Sequence, residues 1–429
     1  MLHEPMRHPL RRFCVLVVAV LYSTSALADY ELYKEGDTTL NLQFTTIGAQ
    51  FGQDQSWFGE ASSFIGSGGH HWTEFGTEFG GKGEMGLWGG TFFGEASGIY
   101  TRSSGDDASG VTVGLDEESE TTLEQGHIGW KTADTFTGLE DSTLTVKLGR
   151  FDYNIGTGML INDGGSDGGD RGGWYIGMRK AFQNAGIISL DSKSLKVQAF
   201  RLKNNPRRGG QQGEARGLNV DYTFGEEGAV ALGGSYMRVY PQDGPEDADV
   251  YDGRASWTVL PGLTLSGEYA KESGDLDGKG YYAQALYEFS DVAWKPAVTY
   301  RYASFDDGFN TLAYGYTDYG YWFQGELAGN YPLFNNNLNS NMLRVKLAPQ
   351  ESLTVNLFYY NFTLDNAQSF GVTSDDFGDE VDLTVDWQAT DRIYVIAVLA
   401  QLNPDNGAEQ WTGGGKDWKY GMLLVQFTL

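Results

Sequence analysis

Two series of ionisable side chains fall on the polar parity of alternating segments in this 429-residue chain. The bases are Lys147, Arg179, Lys196, Arg254, Arg301, Arg344 and Lys346. On the same parity stand Glu74, Glu78, Asp221, Asp252, Glu268, Glu288, Asp382 and Asp386. Arg150 and Arg171 fall at or beyond an outer strand end, where they could line a constriction. Arginine offers a permanently charged fork that matches a carboxylate, and lysine a point charge. Bases arrayed along one surface therefore suit recognition of anions in passage rather than bond-making. The same residues have a competing use, since inward charges on neighbouring strands can pair and stiffen the wall.

Other candidate chemistry is thin. Downstream of residue 28 the only histidines are His70, His71 and His127, and no G-x-S-x-G elbow accompanies them. An esterase or lyase is thus set aside and no enzyme is expected. Gly81-Lys82-Gly83-Glu84-Met85-Gly86 satisfies G-x-G-x-x-G but sits in a hairpin with no helix after it, the wrong setting for a nucleotide. Asp163, Asp167 and Asp170, like Asp275 and Asp277, are carboxylates in glycine-rich loops that could take calcium, without the full EF-hand spacing. No other cofactor is expected. The single cysteine, Cys14, lies in the N-terminal segment, so thiol chemistry and disulfides are excluded from the rest.

The elements that would carry these residues are strands. Leu218, Val220, Tyr222 and Phe224 alternate with polar residues, as do Tyr251 to Val259, Leu353 to Tyr359 and Val381 to Trp387. Leu423, Val425, Phe427 and Leu429 carry the alternation to the last residue. Such an ending suits a barrel whose last strand pairs with its first and leaves no edge in lipid. The longest apolar run after the N-terminal segment, Ile393 to Ala400, is far short of the roughly 20 residues of a spanning helix. Barrel strands need only about 9–11 residues with every second one apolar. Sixty glycines and 14% aromatics suit the same architecture.

Residues 1–28 read as a signal peptide: Arg7, Arg11 and Arg12, an apolar stretch from Phe13 to Tyr22, then Ala26-Leu27-Ala28. Residues 29–429 are then one barrel domain. Short connections at Gly225–Gly228, Pro261-Gly262, Pro349–Ser352 and Thr390-Asp391 alternate with long ones at 52–69, 103–120, 154–173 and 366–378. That is the pattern of periplasmic turns and outer loops. The net charge of −27 argues against a nucleic-acid partner. The alternating segments number nineteen, which is odd. Tyr319 to Tyr331 alternate poorly, and placing them in one outer loop over 304–340 restores about 18 strands.

At that segment, Trp322-Phe323-Gln324-Gly325-Glu326-Leu327-Ala328-Gly329-Asn330-Tyr331 with Asn335-Asn336-Asn337-Leu338 resembles the Trp-Trp-Gln-Gly-Glu motif of the alginate-export outer-membrane family. Phe323 stands for its second tryptophan and Asn336 for its usual serine. Leu148-Gly149-Arg150-Phe151 to Gly156 and Phe358 to Asp365 are looser similarities. The resemblance implies an 18-stranded barrel exporting an anionic polyuronate through an arginine-lined lumen.

These readings combine into an all-β transmembrane antiparallel barrel in a Gram-negative outer membrane, acting as a passive channel for anionic saccharides. Its expected partners are outer-membrane lipid, the anionic saccharide, the barrel-insertion machinery and a periplasmic export assembly. Tyr321, Trp322 and Phe323 either stack on passing sugars or anchor the loop. The alternatives are a general or cation-leaning small-solute porin, and a plugged structural or adhesive barrel.

Overall fold

In a computed structural model of the chain, residues 30–57, 71–105, 117–132, 142–207, 212–225, 229–241, 247–313 and 324–429 are described. The signal-peptide segment and the aromatic group Tyr321, Trp322 and Phe323 lie outside them. The first half of the fold comprises β1 (Tyr30–Glu35), β2 (Thr38–Asp54), β3 (His71–Leu87), β4 (Gly90–Gly105), β5 (Glu117–Thr132), β6 (Thr143–Phe151), β7 (Phe182–Asp191), β8 (Leu195–Lys203), β9 (Gly213–Phe224) and β10 (Val230–Pro241). The second half comprises β11 (Ala248–Leu260), β12 (Leu263–Gly274), β13 (Lys279–Glu288), β14 (Ala297–Phe305), β15 (Leu338–Gln350), β16 (Leu353–Thr363), β17 (Asp376–Thr390), β18 (Ile393–Pro404) and β19 (Trp418–Thr428).

Each strand pairs antiparallel with the next, and β19 pairs with β2 from Lys419–Asp54 to Thr428–Thr45. Strands β2 to β19 thus close into a ring of 18, as the even count requires. β1 has no counterpart in the sequence reading. It pairs with Thr38–Leu42 of β2, the stretch of that strand beyond the end of β19. The demotion of Tyr319 to Tyr331 holds over its described part, where Gly325–Leu333 is helical and not a strand, while residues 319–323 lie outside the described residues.

The outer surface of the ring carries the apolar parity. Phe79, Ile128, Leu148, Leu218, Leu399 and Leu423 are all exposed, which in water would be a large liability. Aromatic residues bound this belt. Tyr236 and Tyr251, with ring centroids 5.3 Å apart, and Tyr269 and Tyr359 lie toward the long-loop end. Trp257, Tyr287, Trp294 and Trp387 lie toward the short-turn end. Two aromatic girdles flanking an apolar band are the profile of a wall that faces lipid.

The inner surface departs from the polar lumen expected from alternation. On β16, β18, β19 and β2, the inward parity carries Phe358, Tyr360, Phe362, Ile396, Val398, Trp418, Leu424 and Phe51, all buried. They are covered because two inter-strand segments fold into the barrel. Residues 152–181, between β6 and β7, contribute Ile155, Met159, Trp174, Tyr175 and Ile176. Residues 306–313 and 324–337, between β14 and β15, contribute Phe309, Leu327, Tyr331 and Leu333. The two segments meet at a bridge between Ile161 and Ala313 and at Tyr175 and Tyr331, whose rings are 5.9 Å apart. Burying each large apolar side chain contributes about 1.5–3 kcal/mol, which is why these segments turn inward instead of projecting into water.

Candidate functional site: the narrowed lumen

The infolded segments bring their own unpaired backbone N–H groups into the barrel, and buried N–H groups need acceptors. Wall carboxylates supply them. Glu74 on β3 accepts from the Tyr175 and Ile176 amides at 2.8 and 3.0 Å. Glu124 on β5 accepts from Lys180 and Ala181, both at 2.7 Å. Glu272 on β12 accepts from Asn310 at 2.9 Å. On β17, Glu380 accepts from Leu327 and Ala328 at 2.7 and 2.8 Å, and Asp382 from Glu326 at 3.1 Å.

The segment held by β17 is a π-helix, Gly325–Leu333, with hydrogen bonds from Gly329 to Gln324 and from Phe334 to Gly329. Its wide turn presents three successive amides to the two carboxylates. Gly325 has a φ of 86°, and a Cβ there would lie 2.6 Å from the Glu380 carboxyl carbon. Glycine at this position is therefore a requirement of the contact. The resemblance motif Gln324-Gly325-Glu326-Leu327-Ala328 builds this loop anchor.

The sequence reading named Glu74 and Asp382 among the inward acids but not Glu124, Glu272 or Glu380. For Glu124 the reason is a bulge, where Leu123 to Gly126 oppose Ala96 to Gly98 and the alternation slips. Glu272 and Glu380 keep regular alternation with outward Tyr269 and Val381, so their parity was legible in the sequence and their role was not.

The predicted bases separate into groups. Arg179 is not on a strand, which corrects the parity reading: it precedes β7, in the infolded segment 152–181. It is fully buried, 2.7 Å from Asp167, with further bonds to Thr101, to Thr122 and to the Glu120 carbonyl at 2.9 Å. Arg171 lies 2.8 Å from Glu120 and donates to the carbonyls of Ser166 and Asn205. Arg150 donates to the Glu124 carbonyl at 3.2 Å. Arg171 and Arg179 brace the segment against β4 and β5, whereas Arg150 ties β6 to β5 within the wall. Removing one partner of a buried pair such as Arg179–Asp167 costs about 3–5 kcal/mol.

Arg254 on β11 is clasped by Asp252, by Asp221 at 3.0 Å and by the Asn219 amide oxygen at 2.6 Å. Gly156, at the turn of the first infolded segment, lies against its guanidinium, and neighbouring Thr157 donates to Glu268 at 2.6 Å. Arg301 is fully buried with an amino group 3.5 Å from the Met342 sulfur. Arg344 bonds Asn356 through two nitrogens and lies over the Phe358 ring at 5.1 Å.

Lys147, Lys196 and Lys346 also point inward, and none has an ion-pair partner within 4 Å among the described residues. Lys147 lies 4.2 Å above the Phe151 ring. Glu95, 3.9 Å from His127, and Asp152, bonded to Gln125 at 2.6 Å, act on it, and Glu78, bonded to Ser97, adjoins those two acids. This patch is partly exposed and mixed in sign.

Two of the loop aspartates read as calcium donors have partners within the protein. Asp163 accepts from the Gly165 amide at 2.9 Å and Asp167 from the Arg179 amide and guanidinium. Burial pushes the Asp163 carboxyl well above the usual carboxylate range, and it raises Asp167 too despite the neighbouring Arg179. Among the described residues no three His, Cys, Asp or Glu side chains gather as a metal site.

Solved structures share this fold. Pseudomonas aeruginosa OpdQ is similar at a TM-score of 0.57 and 14% identity, over 91% of this chain and 98% of that one. OccD3 (OpdP) of the same organism matches at 0.57 and 12%, over 94% and 93%. OccK2 (OpdF), solved in complex with glucuronate, matches at 0.55 and 13%, over 91% and 96%. No family model matches the chain, and no curated protein is similar to it. A porin-type 18-stranded barrel is thus the established architecture. The structures named are Opd and Occ proteins, so the alginate-export assignment finds no support among them.

Proposed function

We propose that the protein is a passive outer-membrane channel whose solutes are small anionic saccharides, uronates and short oligouronates foremost. The observation that carries this reading is the employment of the lumen acids. Glu74, Glu124, Glu272, Glu380 and Asp382 serve backbone amides of the infolded segments, and Asp221 and Asp252 both engage Arg254. These acids are engaged by partners within the protein, whereas Lys147, Lys196 and Lys346 face the lumen without an ion-pair partner among the described residues. Charged groups at a constriction select ions by sign. Glucuronate in the OccK2 structure supports a sugar acid as solute class. The two infolded segments favour monomers and short oligomers over an alginate polymer.

A cation-leaning general porin is favoured by a different observation, the partly exposed acids Glu95 and Asp152 beside Lys147, with Glu78 adjoining them. The test is the reversal potential of single channels under a salt gradient in a planar bilayer, followed by added glucuronate. Anion selectivity with current block by glucuronate is expected, weakened in Lys147→Ala and Lys346→Ala. Cation selectivity without block would sink the uronate reading and leave the general porin. A silent, correctly inserted barrel would instead favour a plugged structural role.

A further inference from the structure

On the outside of the wall, at the long-loop end, Arg201, Arg216 and Arg238 of β8, β9 and β10 stand directly opposite one another in register. They share the parity of Leu218 and Tyr236 and point away from the lumen, with side chains 46%, 57% and 45% exposed. Like charges directly opposite on neighbouring strands destabilise a sheet, so the row calls for anions. Within the protein, Glu214 bridges Arg201 and Arg216, each at 2.5 Å, and Asp247 and Asp249 flank Arg238 at 3.1 and 3.9 Å. Lys203, on the same parity as Arg201, adds a fourth base against those three acids. Exposed ion pairs of this kind contribute little to stability.

Depth and shape specify the anion. Arg238 lies two residues beyond the girdle tyrosine Tyr236, roughly 5 Å further toward the polar side for a tilted strand. That is headgroup level. The Tyr240 ring lies 5.0 Å from the Arg216 guanidinium and 6.0 Å from that of Arg238. Toward the belt the row opens onto a groove of about 670 Å³ between Leu148, Ile188 and Leu218, floored by Gly186 and Ala199. Three bases across two strand spacings, about 10 Å, suit a headgroup bearing more than one phosphate. The groove beneath suits an acyl chain.

We infer that this face binds an outer-leaflet glycolipid, a bis-phosphorylated acylated glucosamine disaccharide, with its phosphates on the arginine row and a chain in the groove. The inference rests on the outer-membrane reading above but not on what the lumen passes. The test is native mass spectrometry of the full protein in detergent, with the glycolipid, its dephosphorylated form and phosphatidylglycerol as probes. One bound bis-phosphorylated lipid per barrel is expected. Its affinity should fall by about tenfold or more without the phosphates and in Arg201→Gln/Arg216→Gln/Arg238→Gln. Equal binding of phosphatidylglycerol, or an unaffected triple variant, would overturn the assignment. If the triple variant fails to fold, Arg216→Gln alone carries the same comparison. Conductance separates the two readings: the variant should conduct as the wild type does, and loss of lipid with conductance intact would sink only the lipid site.

Discussion

At the scale of single residues, the acids of this lumen matter more for what they hold than for the field they project. Asp163 shows the consequence for pH. It is buried, one oxygen accepts from Gly165, and burial raises its pKa well above the usual 3.8. A carboxyl raised in the folded state contributes stability that is full below its unfolded pKa and is lost as pH rises through the folded value. Docking of residues 152–181 should therefore weaken as pH rises, with Asp167 acting in the same direction. Asp163→Asn keeps the acceptor and cannot ionise. The expected outcome is that hydrogen-exchange protection over 155–181, corrected for intrinsic exchange, falls as pH rises above the ordinary carboxylate range in the wild type and falls less in the variant. Equal slopes would remove Asp163 as the cause.

At the scale of elements, the π-helix Gly325–Leu333 is held by geometry that tolerates no side chain at Gly325. An alanine there meets the Glu380 carboxyl and must also hold a positive φ, which together cost about 1–3 kcal/mol. The ring of strands does not depend on this contact. Gly325→Ala is thus expected to raise single-channel conductance, or its open-level noise, while thermal unfolding of the barrel is unchanged. A wild-type current trace from the variant would mean that the segment does not narrow the path. The same element marks where sequence reading stopped. Outward faces were legible because lipid imposes a strict alternation, as at Leu218 to Phe224, and so was the removal of Gln324 to Tyr331 from the strands. The inward faces were not, because once a loop folds in, the inner wall is a protein core that accepts Phe358 and Ile396 as readily as Arg301. Arg179 was misplaced on a strand for a related reason: its surroundings, Asp167, Thr101 and the Glu120 carbonyl, come from three separate segments of the chain.

At the scale of the whole molecule, closure separates what the barrel requires from what it carries. β19 has paired neighbours on both sides, β18 and β2, so the Leu424 N–H joins a ladder whichever way it points. In a wall facing hydrocarbon, an unpaired backbone group costs several kcal/mol, and proline both removes the donor and disturbs the strand. β1 lies outside the ring, pairs with β2 alone, and is exposed along its whole length. It covers the edge of β2 at the short-turn end beyond the terminus of β19, where water can satisfy whatever is uncovered. The two positions should therefore respond oppositely to the same substitution. Leu424→Pro is expected to abolish the heat-modifiable band of a folded barrel on unheated SDS gels, and with it all conductance. Leu32→Pro should keep the band, the conductance and the ion selectivity. If Leu32→Pro also prevents folding, β1 is part of the closure rather than an addition to it, and the strand ring would have to be counted as needing 19 members at its short-turn end.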